Sequence, residues 1–532
     1  MYKYILTRDD EYNILTGDKE YNFNVQENKQ LDNYSINRSI EQDNNIKYLT
    51  DEQILLKCDA SIKNEDIYPH QERVYAIGDI HGDLEAFMVL LQEVCKVCEF
   101  DCPIRDNKNI KSHNDITFRW TGEKAYVVMV GDTIDRKRTG SIKKDNLLVG
   151  EIENEEIILL NLINRIAIEA SNAGGRLIKL LGNHEIMNLY SNFDYVSDQT
   201  IKENGGLNMR INKTQPGGDL AKMIIKCGTL GIVKIGDWIF VHGGILPALV
   251  NAVRNSGVYN FINKANSLAR DMFLNTLNSN DKKINKKLIK YYFTDNNLEK
   301  LKIEDFKNED EYTKKELENL FIKRDSMLNE RRLSLDNYGG VKVPISSMCL
   351  ALKLAFKLLG YKENLNLVVA HTVQLERGLF QRSKDDPGYI SGYVYKNLEC
   401  EDDSRYIYTG PGEKYKKNIS SNDVDNMFPH GLNFECPHDI KNPQLGQLWR
   451  IDTGVSRGFD NDYLKDCTIP DKLIEKILKA RRPSALEILH DKDKGYTTKV
   501  IVAKKGLTRD WLIDRLKCNI NNKHIIDDGN IF

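Results

Sequence analysis

Short runs of hydrophobic residues, each followed by a polar cluster, recur along the chain from Arg73 onwards. Runs of four or five residues that are rich in β-branched side chains are typical of buried β-strands. We therefore predict strands at residues 74–77, 126–130, 177–181, 238–241 and 367–370. A further hydrophobic run begins at Leu448 and ends at Asp452-Thr453-Gly454.

Helical patterns lie between the predicted strands, at residues 84–100, 155–171 and 346–359. The first follows Asp83, a residue type that caps helix N-termini, and the third stops at Gly360. The second stops at Gly174-Gly175. Strands that alternate with helices predict an α/β fold or a layered α-β-β-α core.

Several segments interrupt this alternation. Residues 1–70 are polar and weakly periodic, so we expect an N-terminal extension with little core of its own. The main domain is expected over residues 71–490, and a C-terminal tail over 491–532 with one helix around 510–517. Within the main domain, residues of about 255–335 and 376–445 have the composition of helical or loop-rich insertions.

The charge balance narrows the choice of partners. The 532 residues include 76 Lys and Arg against 78 Asp and Glu, a formal net charge of −2. Nucleic-acid coats and polybasic membrane anchors need a strong basic excess, so we expect neither a nucleic-acid nor a membrane partner. No hydrophobic run reaches the roughly 18 residues that span a bilayer, and the N-terminus turns acidic before a signal-peptide core can form.

The 10 cysteines are spread thinly over the chain, which is not the density of a disulfide scaffold. This favours an intracellular, reducing compartment, the cytoplasm in the simplest case. The only cluster is Cys95, Cys98 and Cys102, and it has no second C-x2-C pair with which to bind zinc. We therefore expect these three side chains to be buried or half-buried thiols.

Each predicted strand ends in residues that bind metal ions in proteins. They stand in Gly78-Asp79-Ile80-His81, Gly131-Asp132, Gly182-Asn183-His184-Glu185, His242-Gly243-Gly244 and His371-Thr372. Open α/β folds place their sites at the carboxyl ends of the strands, and adjacent glycines allow close backbone approach. A mixed set of oxygen and nitrogen ligands suits Mn, Fe or Zn rather than Ca or Mg alone.

In this order the motifs, with Asp135-Arg136 after Asp132, resemble those of the calcineurin-like metallophosphoesterases, in particular the phosphoprotein phosphatases. Four segments are similar in sequence to the Shewanella-like subgroup: residues 173–176, 180–189, 241–247 and 451–456. The resemblance covers roughly residues 70–490 without the insertions. It implies a layered α-β-β-α sandwich and makes residues 71–490 a catalytic domain.

The resemblance also implies two transition-metal ions, Mn, Fe or Zn. Asp79 and His81 would bind the first ion, Asp132 would bridge both, and the second would be bound by Asn183, His242 and His371. A water between two cations loses a proton near neutral pH, so the expected nucleophile is a metal-bound hydroxide.

Three residues carry the implied catalytic roles. His184 would protonate the leaving oxygen, and Asp135 would hold His184 in the required tautomer. Arg136 would bind two phosphate oxygens as a bidentate fork, and Asn183 would also contact the substrate.

The sequence departs from the family pattern at three places. Lys137 replaces the glycine that follows the Asp-Arg pair, and Ala370 replaces the glycine before His371. The family's second phosphate-binding arginine is absent from the segment 333–339 that resembles its motif. Arg324, Arg332 or neither could replace it.

The expected function is the hydrolysis of phosphomonoesters, with phosphoprotein or phosphopeptide as substrate, on serine, threonine or tyrosine. The alternatives are a hydrolase of small phosphoesters such as diadenosine polyphosphates, and an attenuated enzyme that acts as a binding scaffold. Without the resemblance, the strand-end residues could be polar caps and His371 a core histidine. Substrate, metal identity and oligomeric state stay open at this stage.

Overall fold

A computed structural model gives the structure of the chain. It describes residues 49–62, 65–102, 110–137, 152–252, 258–276 and 318–333, then short stretches between 337 and 399, and residues 447–452, 455–456 and 483–504. The helices are α1 (Asp51–Ser61), α2 (Leu84–Val89), α3 (Glu155–Asn172), α4 (Asn183–Leu189), α5 (Asp198–Glu203), α6 (Leu207–Thr214), α7 (Asp219–Ile225), α8 (Pro247–Ala252) and α9 (Val258–Leu274). Short π-helical turns cover Leu90–Val94 and Glu318–Ile322, and a 3-10 turn covers His113–Asp115.

The strands of the first half are β1 (Ile67–Tyr68), β2 (Arg73–Ile77), β3 (Cys98–Phe100), β4 (Phe118–Trp120), β5 (Tyr126–Met129), β6 (Arg176–Lys179), β7 (Ile232–Ile235) and β8 (Trp238–Val241). Those of the second half are β9 (Asn337–Tyr338), β10 (Val341–Lys342), β11 (Asn366–Val369), β12 (Leu375–Glu376), β13 (Ile390–Ser391), β14 (Lys396–Glu399), β15 (Gln447–Arg450), β16 (Ser484–Asp491) and β17 (Gly495–Val502).

Two sheets form the centre of the fold. One has the strand order β17-β16-β2-β5-β6, and the other has the order β1-β7-β8-β11-β15-β14. In the first sheet β2, β5 and β6 are parallel, and in the second β8, β11 and β15 are parallel. The carboxyl ends of these strands therefore point to one edge of each sheet. Three two-stranded pairs, β3–β4, β9–β10 and β12–β13, lie outside them.

The two sheets pack face to face over a hydrophobic core. Val128 and Ile178 from the first sheet meet Trp238, Phe240 and Val368 from the second, and all are buried. The outer face of the first sheet is covered by α2 and α3, and the outer face of the second by α4, α7 and α9. The layers are helix, sheet, sheet and helix, so the predicted α-β-β-α sandwich is confirmed.

The predicted helix at residues 84–100 is too long at its C-terminal end. The helical turns end at Val94, and Cys98–Phe100 is a strand that pairs with β4. Lys96 adopts a left-handed backbone, φ 56°, which ends the helix. Cys98 and Phe100 are buried while Glu99 between them is exposed, the alternation of a strand. The helix predicted at 155–171 is confirmed as α3.

Parts of the predicted extension and tail pack on the main domain. Helix α1 lies against α3 and buries Ile54 and Cys58, and β1 pairs with β7. Strand β17 pairs with β16 across the expected boundary at residue 490. Residues 1–48 and the helix predicted around 510–517 lie outside the described residues, as does part of the helix predicted at 346–359.

The cysteines among the described residues occur in two environments. Cys95 and Cys98 are buried free thiols and Cys102 is half-buried, as predicted. Cys58 on α1 forms a disulfide with Cys227, with a Cα–Cα distance of 4.8 Å. The prediction of a reducing compartment rested on the thin spread of cysteines and does not account for this bond. Within the described ranges, every helix is too short or too polar to cross a bilayer.

Candidate active site

The strand ends of both sheets meet at one edge of the sandwich. Asp79 follows β2, Asp132 follows β5, and Asn183 follows β6 in the first sheet. His242 follows β8 and His371 follows β11 in the second. All five side chains are buried, with at most 9% of their surface exposed. The two parallel sets of strands thus bring residues that are almost 300 positions apart into one cluster.

Asp132 lies at the centre of the cluster. Its Oδ2 is 3.2 Å from His242 Nε2, 3.7 Å from His184 Nε2 and 3.9 Å from His81 Nε2. His81 Nε2 is also 3.8 Å from Asp79 Oδ2. A carboxylate with histidines on two sides has the geometry of a ligand shared between two ions.

Two triads of ligand atoms overlap at Asp132. His81, Asp132 and His184 form one, and Asp132, His242 and His371 form the other, with all ligand atoms of each triad within 4.8 Å of one another. Asn183 adjoins the second triad, because its Oδ1 is 3.1 Å from His242 Nε2. The structure thus brings together all the residues proposed from sequence as metal ligands.

The donor set fits metal ions. Both ring nitrogens of His371 are buried and have no hydrogen-bond partner among the described residues. Nδ1 of His242 donates to the Val130 carbonyl oxygen at 2.7 Å, which leaves Nε2 facing Asp132 and Asn183. A backbone partner on Nδ1 is the usual way in which proteins orient a metal-binding histidine.

The electrostatics of the cluster also favour cations. Burial and the charges of Asp452 and Asp132 hold the pKa of Asp79 well above its usual value. Burial alone would raise the pKa of Asp132, but His242 and His184 hold it well below its usual value. Burial and the positive charge of Arg331 lower the pKa of His371 far below the usual histidine value, which keeps its ring neutral. Buried carboxylates that lie this close to one another are stabilised by metal ions.

The backbone is strained where it delivers these side chains. His81, Asp132, Asp135 and His371 all adopt left-handed conformations, with φ between 47° and 66°. Non-glycine residues rarely adopt this conformation, and it is concentrated at functional sites. Gly182 permits the closest approach, because a Cβ there would lie 2.1 Å from Asp132 Oδ1.

His184 and Asp135 form a hydrogen-bonded pair beside the cluster. His184 Nδ1 is 2.9 Å from Asp135 Oδ2, and both side chains are buried. The amide of Asn188 donates to both oxygens of Asp135 at 2.8 Å. His184 Nε2 therefore faces the cluster while Nδ1 is held by a carboxylate.

Arg136 is buried, with 3% of its surface exposed. Its Nη1 donates to Glu155, while Nε and Nη2 have no hydrogen-bond partner among the described residues. A buried guanidinium with two unused donors is a site for an anion. This is the arrangement expected of the phosphate-binding arginine.

The departures from the family pattern have local explanations. Lys137 does not adopt a left-handed backbone, so its position does not require the family's glycine. Its amide donates to the Tyr195 carbonyl at 2.9 Å, and its Nζ lies 3.9 Å from Asp198 at the surface. The glycine-to-lysine change therefore adds a charge near the site without distorting the turn.

Arg332 does not have the free guanidinium that a phosphate ligand needs. It is buried and its Nε and Nη2 donate to the two oxygens of Glu330, with 2.8 Å for Nε. Its neighbour Arg331 is exposed, and its charge is the second largest cause of the lowered pKa of His371. Arg331 was not predicted from the sequence, because only its electrostatic effect on His371 in the folded chain distinguishes it.

Four further residues support the site and were not predicted from sequence as site residues. Glu185 accepts from the amides of Gly182 and Thr133 at 2.7 and 2.8 Å, which joins the ends of β5 and β6. The others are Glu155, Asn188 and Asp452. Glu185, Asn188 and Asp452 lie within the motif segments described above, so their position in those motifs could have identified them. Glu155 lies outside these motifs, and no sequence pattern identifies it.

Comparison with known proteins defines the class of this region. The family model of the calcineurin-like phosphoesterases matches residues 72–319. The resemblance found in the motifs is therefore confirmed over residues 72–319.

Relatives give a finer likeness. Over 239 residues the chain is 29% identical to Shewanella-like protein phosphatase 2 of Arabidopsis thaliana, an alignment that covers 36% of this chain and 52% of that protein. It is 28% identical over 193 residues to Shewanella-like protein phosphatase 1 of Plasmodium berghei, covering 36% of this chain and 44% of the relative. The chain spans about half the length of the curated relatives it matches.

Among solved structures, the chain is similar to a cold-active protein-tyrosine phosphatase of a psychrophilic Shewanella species. The identity is 19%, the TM-score is 0.36, and the alignment covers 59% of this chain and 69% of that one.

Proposed function

We propose that this protein is a metal-dependent phosphatase that hydrolyses phosphomonoesters of phosphoprotein, on serine, threonine or tyrosine. The observation that carries the proposal is the position of Arg136. Its two unused donors lie on the loop that follows β5, four residues after Asp132 at the centre of the carboxylate and histidine cluster. The binding and hydrolysis of a phosphate monoester require an anion-binding arginine beside a cluster that binds cations.

The residues that would hold metal ions are Asp79, His81, Asp132, Asn183, His242 and His371. Two transition-metal ions there, Mn, Fe or Zn, would neutralise phosphate charge and activate a water molecule as nucleophile. Asp132 Oδ2 lies 3.9 Å from His81 Nε2 and 3.2 Å from His242 Nε2, and this position between the two groups of ligands supports two ions rather than one.

The remaining chemistry belongs to side chains of this chain. Arg136 would bind and orient two phosphate oxygens through Nε and Nη2 while Glu155 holds Nη1. His184 would deliver a proton from Nε2 to the leaving oxygen, because Asp135 accepts the proton on Nδ1 and so fixes which nitrogen faces the substrate.

Arg331 is our candidate for the second phosphate contact. It is exposed, and its charge acts on His371 at the edge of the cluster. Arg332 is held by Glu330 and would support the segment that carries Arg331.

A substrate panel tests the proposal. The purified full-length chain, loaded with Mn²⁺, is assayed for phosphate release from phosphoserine and phosphotyrosine peptides, p-nitrophenyl phosphate and diadenosine tetraphosphate. We expect kcat/KM to be highest for a phosphopeptide, and Asp132→Asn to abolish the activity. Faster hydrolysis of the dinucleotide would instead assign a small-molecule phosphoesterase, and no turnover of any substrate would leave a binding scaffold.

A further inference from the structure

Two adjacent buried carboxylates begin helix α3, and each binds a different buried arginine. Glu155 binds Arg136, and Glu156 binds Arg210. Glu155 is 1% exposed and Glu156 is 7% exposed, so neither ion pair is a surface contact. Buried charges of this kind are retained only with close partners, because an unpaired buried charge is strongly destabilising.

Glu155 is fixed on every side. Its Oε1 accepts from the Leu84 amide at 3.0 Å, and its Oε2 accepts from the Ile152 amide at 3.0 Å and from Arg136 Nη1. Glu155 cannot rotate without losing these bonds, so it sets the direction in which Arg136 presents Nε and Nη2.

Glu156 acts through a longer chain of contacts. It accepts from Arg210, which lies on α6 and is fully buried. Arg210 Nε and Nη2 both donate to Asn188 Oδ1, at 3.2 and 2.6 Å. Because its oxygen is held by the guanidinium, the amide of Asn188 must point its Nδ2 the other way, where it donates to both oxygens of Asp135.

The chain of contacts ends at His184. Asp135 holds His184 Nδ1 at 2.9 Å, and Arg210 Nη2 lies 3.8 Å from Asp135 Oδ1 as a second, weaker support. Arg210 therefore fixes both the amide that orients Asp135 and the charge environment of Asp135. A hydrogen-bonded network of this length constrains orientation more tightly than its individual contacts would.

We propose that Glu155 and Glu156 are positioning residues with separate functions. Glu155 orients Arg136 for phosphate binding, whereas Glu156, through Arg210 and Asn188, orients the Asp135–His184 pair for proton delivery to the leaving oxygen. This inference rests on the proposed phosphatase function. It predicts that substitutions of these two adjacent residues cause different kinetic defects.

Glutamine variants separate the two functions. Glu155→Gln and Glu156→Gln are assayed with Mn²⁺ on aryl phosphates whose leaving groups range from phenol to p-nitrophenol. Glu169→Gln is the matched control, because Glu169 also lies on α3 but contacts the Trp120 amide away from the site. Poor leaving groups need the proton, and general-acid catalysis is worth about 10² to 10⁴ in rate.

For Glu156→Gln we expect kcat on phenyl phosphate to fall at least about tenfold more than kcat on p-nitrophenyl phosphate, as loss of a general acid predicts. Inhibition by inorganic phosphate should stay within about twofold, because Arg136 is untouched. For Glu155→Gln we expect KM and the phosphate inhibition constant to rise several-fold, with the same relative loss on every leaving group. Equal losses on all leaving groups in Glu156→Gln, or a common pattern in both variants, would overturn the proposal.

A spectroscopic measurement keeps the test independent of turnover. In the ¹⁵N-histidine-labelled protein, the Nδ1 proton of His184 is assigned by its loss in His184→Gln. We expect this resonance to shift or vanish in Glu156→Gln and to persist in Glu155→Gln and Glu169→Gln. An unchanged resonance in Glu156→Gln would refute the positioning role even if the chain hydrolyses no phosphate ester. Absence of turnover with the expected resonance pattern would refute only the phosphatase function.

A second pair of variants covers the case in which Glu156→Gln does not fold. Arg210→Lys keeps a positive charge but loses the fork that holds Asn188 Oδ1, and Asn188→Leu removes the amide with little change in volume. Both should show the leaving-group defect of Glu156→Gln. Wild-type leaving-group dependence in both folded variants would contradict the proposal.

Discussion

At the scale of single residues, His184 has the two-sided geometry of a proton donor. Nδ1 is held by Asp135 at 2.9 Å, and Nε2 faces the cluster 3.7 Å from Asp132. We expect His184→Gln to lose about 10² to 10⁴ in kcat on a phosphoserine peptide, whose alkoxide leaves badly. The loss on p-nitrophenyl phosphate should be much smaller, because nitrophenolate leaves without a proton.

Steady-state kinetics on both substrates, with metal content measured in parallel, checks this expectation. Equal losses on the two substrates at full metal occupancy would show that His184 positions the phosphate or the nucleophile instead.

Neighbouring arginines should differ in the property they affect. Arg331→Ala should raise KM and the inhibition constant for inorganic phosphate about tenfold, since a hydrogen bond to a charged group is worth about 1.5–3 kcal/mol. Arg332→Ala should instead lower the free energy of unfolding by about 3–5 kcal/mol, because it leaves the buried Glu330 unpaired.

Phosphate inhibition kinetics and urea unfolding of both variants distinguish these effects. A phosphate-binding defect confined to Arg332→Ala would reverse the assignment of the second phosphate contact.

The candidate metal ligands could be recognised in the sequence because each follows a hydrophobic strand within a short motif. Asp79, Asp132 and His242 are found this way without knowledge of tertiary structure. Arg210 and Arg331 could not be found, because their roles depend on a helix and a loop that fold back onto the site. A local sequence pattern does not show which distant helix or loop will pack against the site.

At the scale of elements, β6 carries a buried lysine that links it to its neighbours. Lys179 Nζ donates to Asn164 Oδ1 on α3 at 2.5 Å and to the Lys226 carbonyl after α7 at 3.0 Å. Burial lowers the pKa of Lys179 to about 7. The pKa of an unfolded lysine is about 10.4, so between roughly pH 7 and 10 the unfolded chain holds a proton that the folded chain does not.

Stability contributed at this position therefore rises with pH across that window, by up to about 1.4 kcal/mol per pH unit. Lys179→Met should remove this rise. Unfolding by urea at pH 7, 8 and 9 measures it, with Lys222→Met, a half-exposed lysine on α7, as the control. The same pH slope in wild type and Lys179→Met would contradict the account.

The helix predicted at residues 84–100 shows where the prediction of secondary structure fails. Residues 84–100 have a continuous helical pattern, yet the chain turns at Lys96 and pairs Cys98–Phe100 with β4. The pairing strand is about 20 residues away, and its hydrogen bonds outweigh the local helical preference. Helix α3 and the central strands, in which nearly every residue is buried, were predicted within a few residues.

At the scale of the whole molecule, the site depends on close contact between the two sheets. Gly78, after β2, lies against Ile451, after β15, so closely that a Cβ at Gly78 would be 2.4 Å from the Ile451 carbonyl oxygen. Gly78→Ala should therefore push the sheets apart and lower the free energy of unfolding by about 1–3 kcal/mol.

Thermal and urea unfolding of Gly78→Ala, together with its metal content, checks this expectation. Metal binding should weaken as well, since Asp79 follows Gly78 directly. Wild-type stability and metal content would show that the two sheets tolerate separation at this edge.

Layering was predictable from sequence because strands alternate with helices. The disulfide between Cys58 and Cys227 was not, since its two residues lie 169 positions apart and outside any cysteine cluster. The packing of α1 on α3 was missed for a different reason: residues 1–70 are polar in composition, and the short helix α1 buries only Ile54 and Cys58.

The measurement that tests the central claim most directly is the number of metal ions bound per chain. The full-length protein is loaded with Mn²⁺, desalted and measured by elemental analysis beside Asp132→Asn. The position of Asp132 between His81 and His242 predicts two ions per chain in the wild type and fewer in the variant, which should remain folded by circular dichroism. One ion or none in the wild type, or two in Asp132→Asn, would contradict the assignment of a two-metal site.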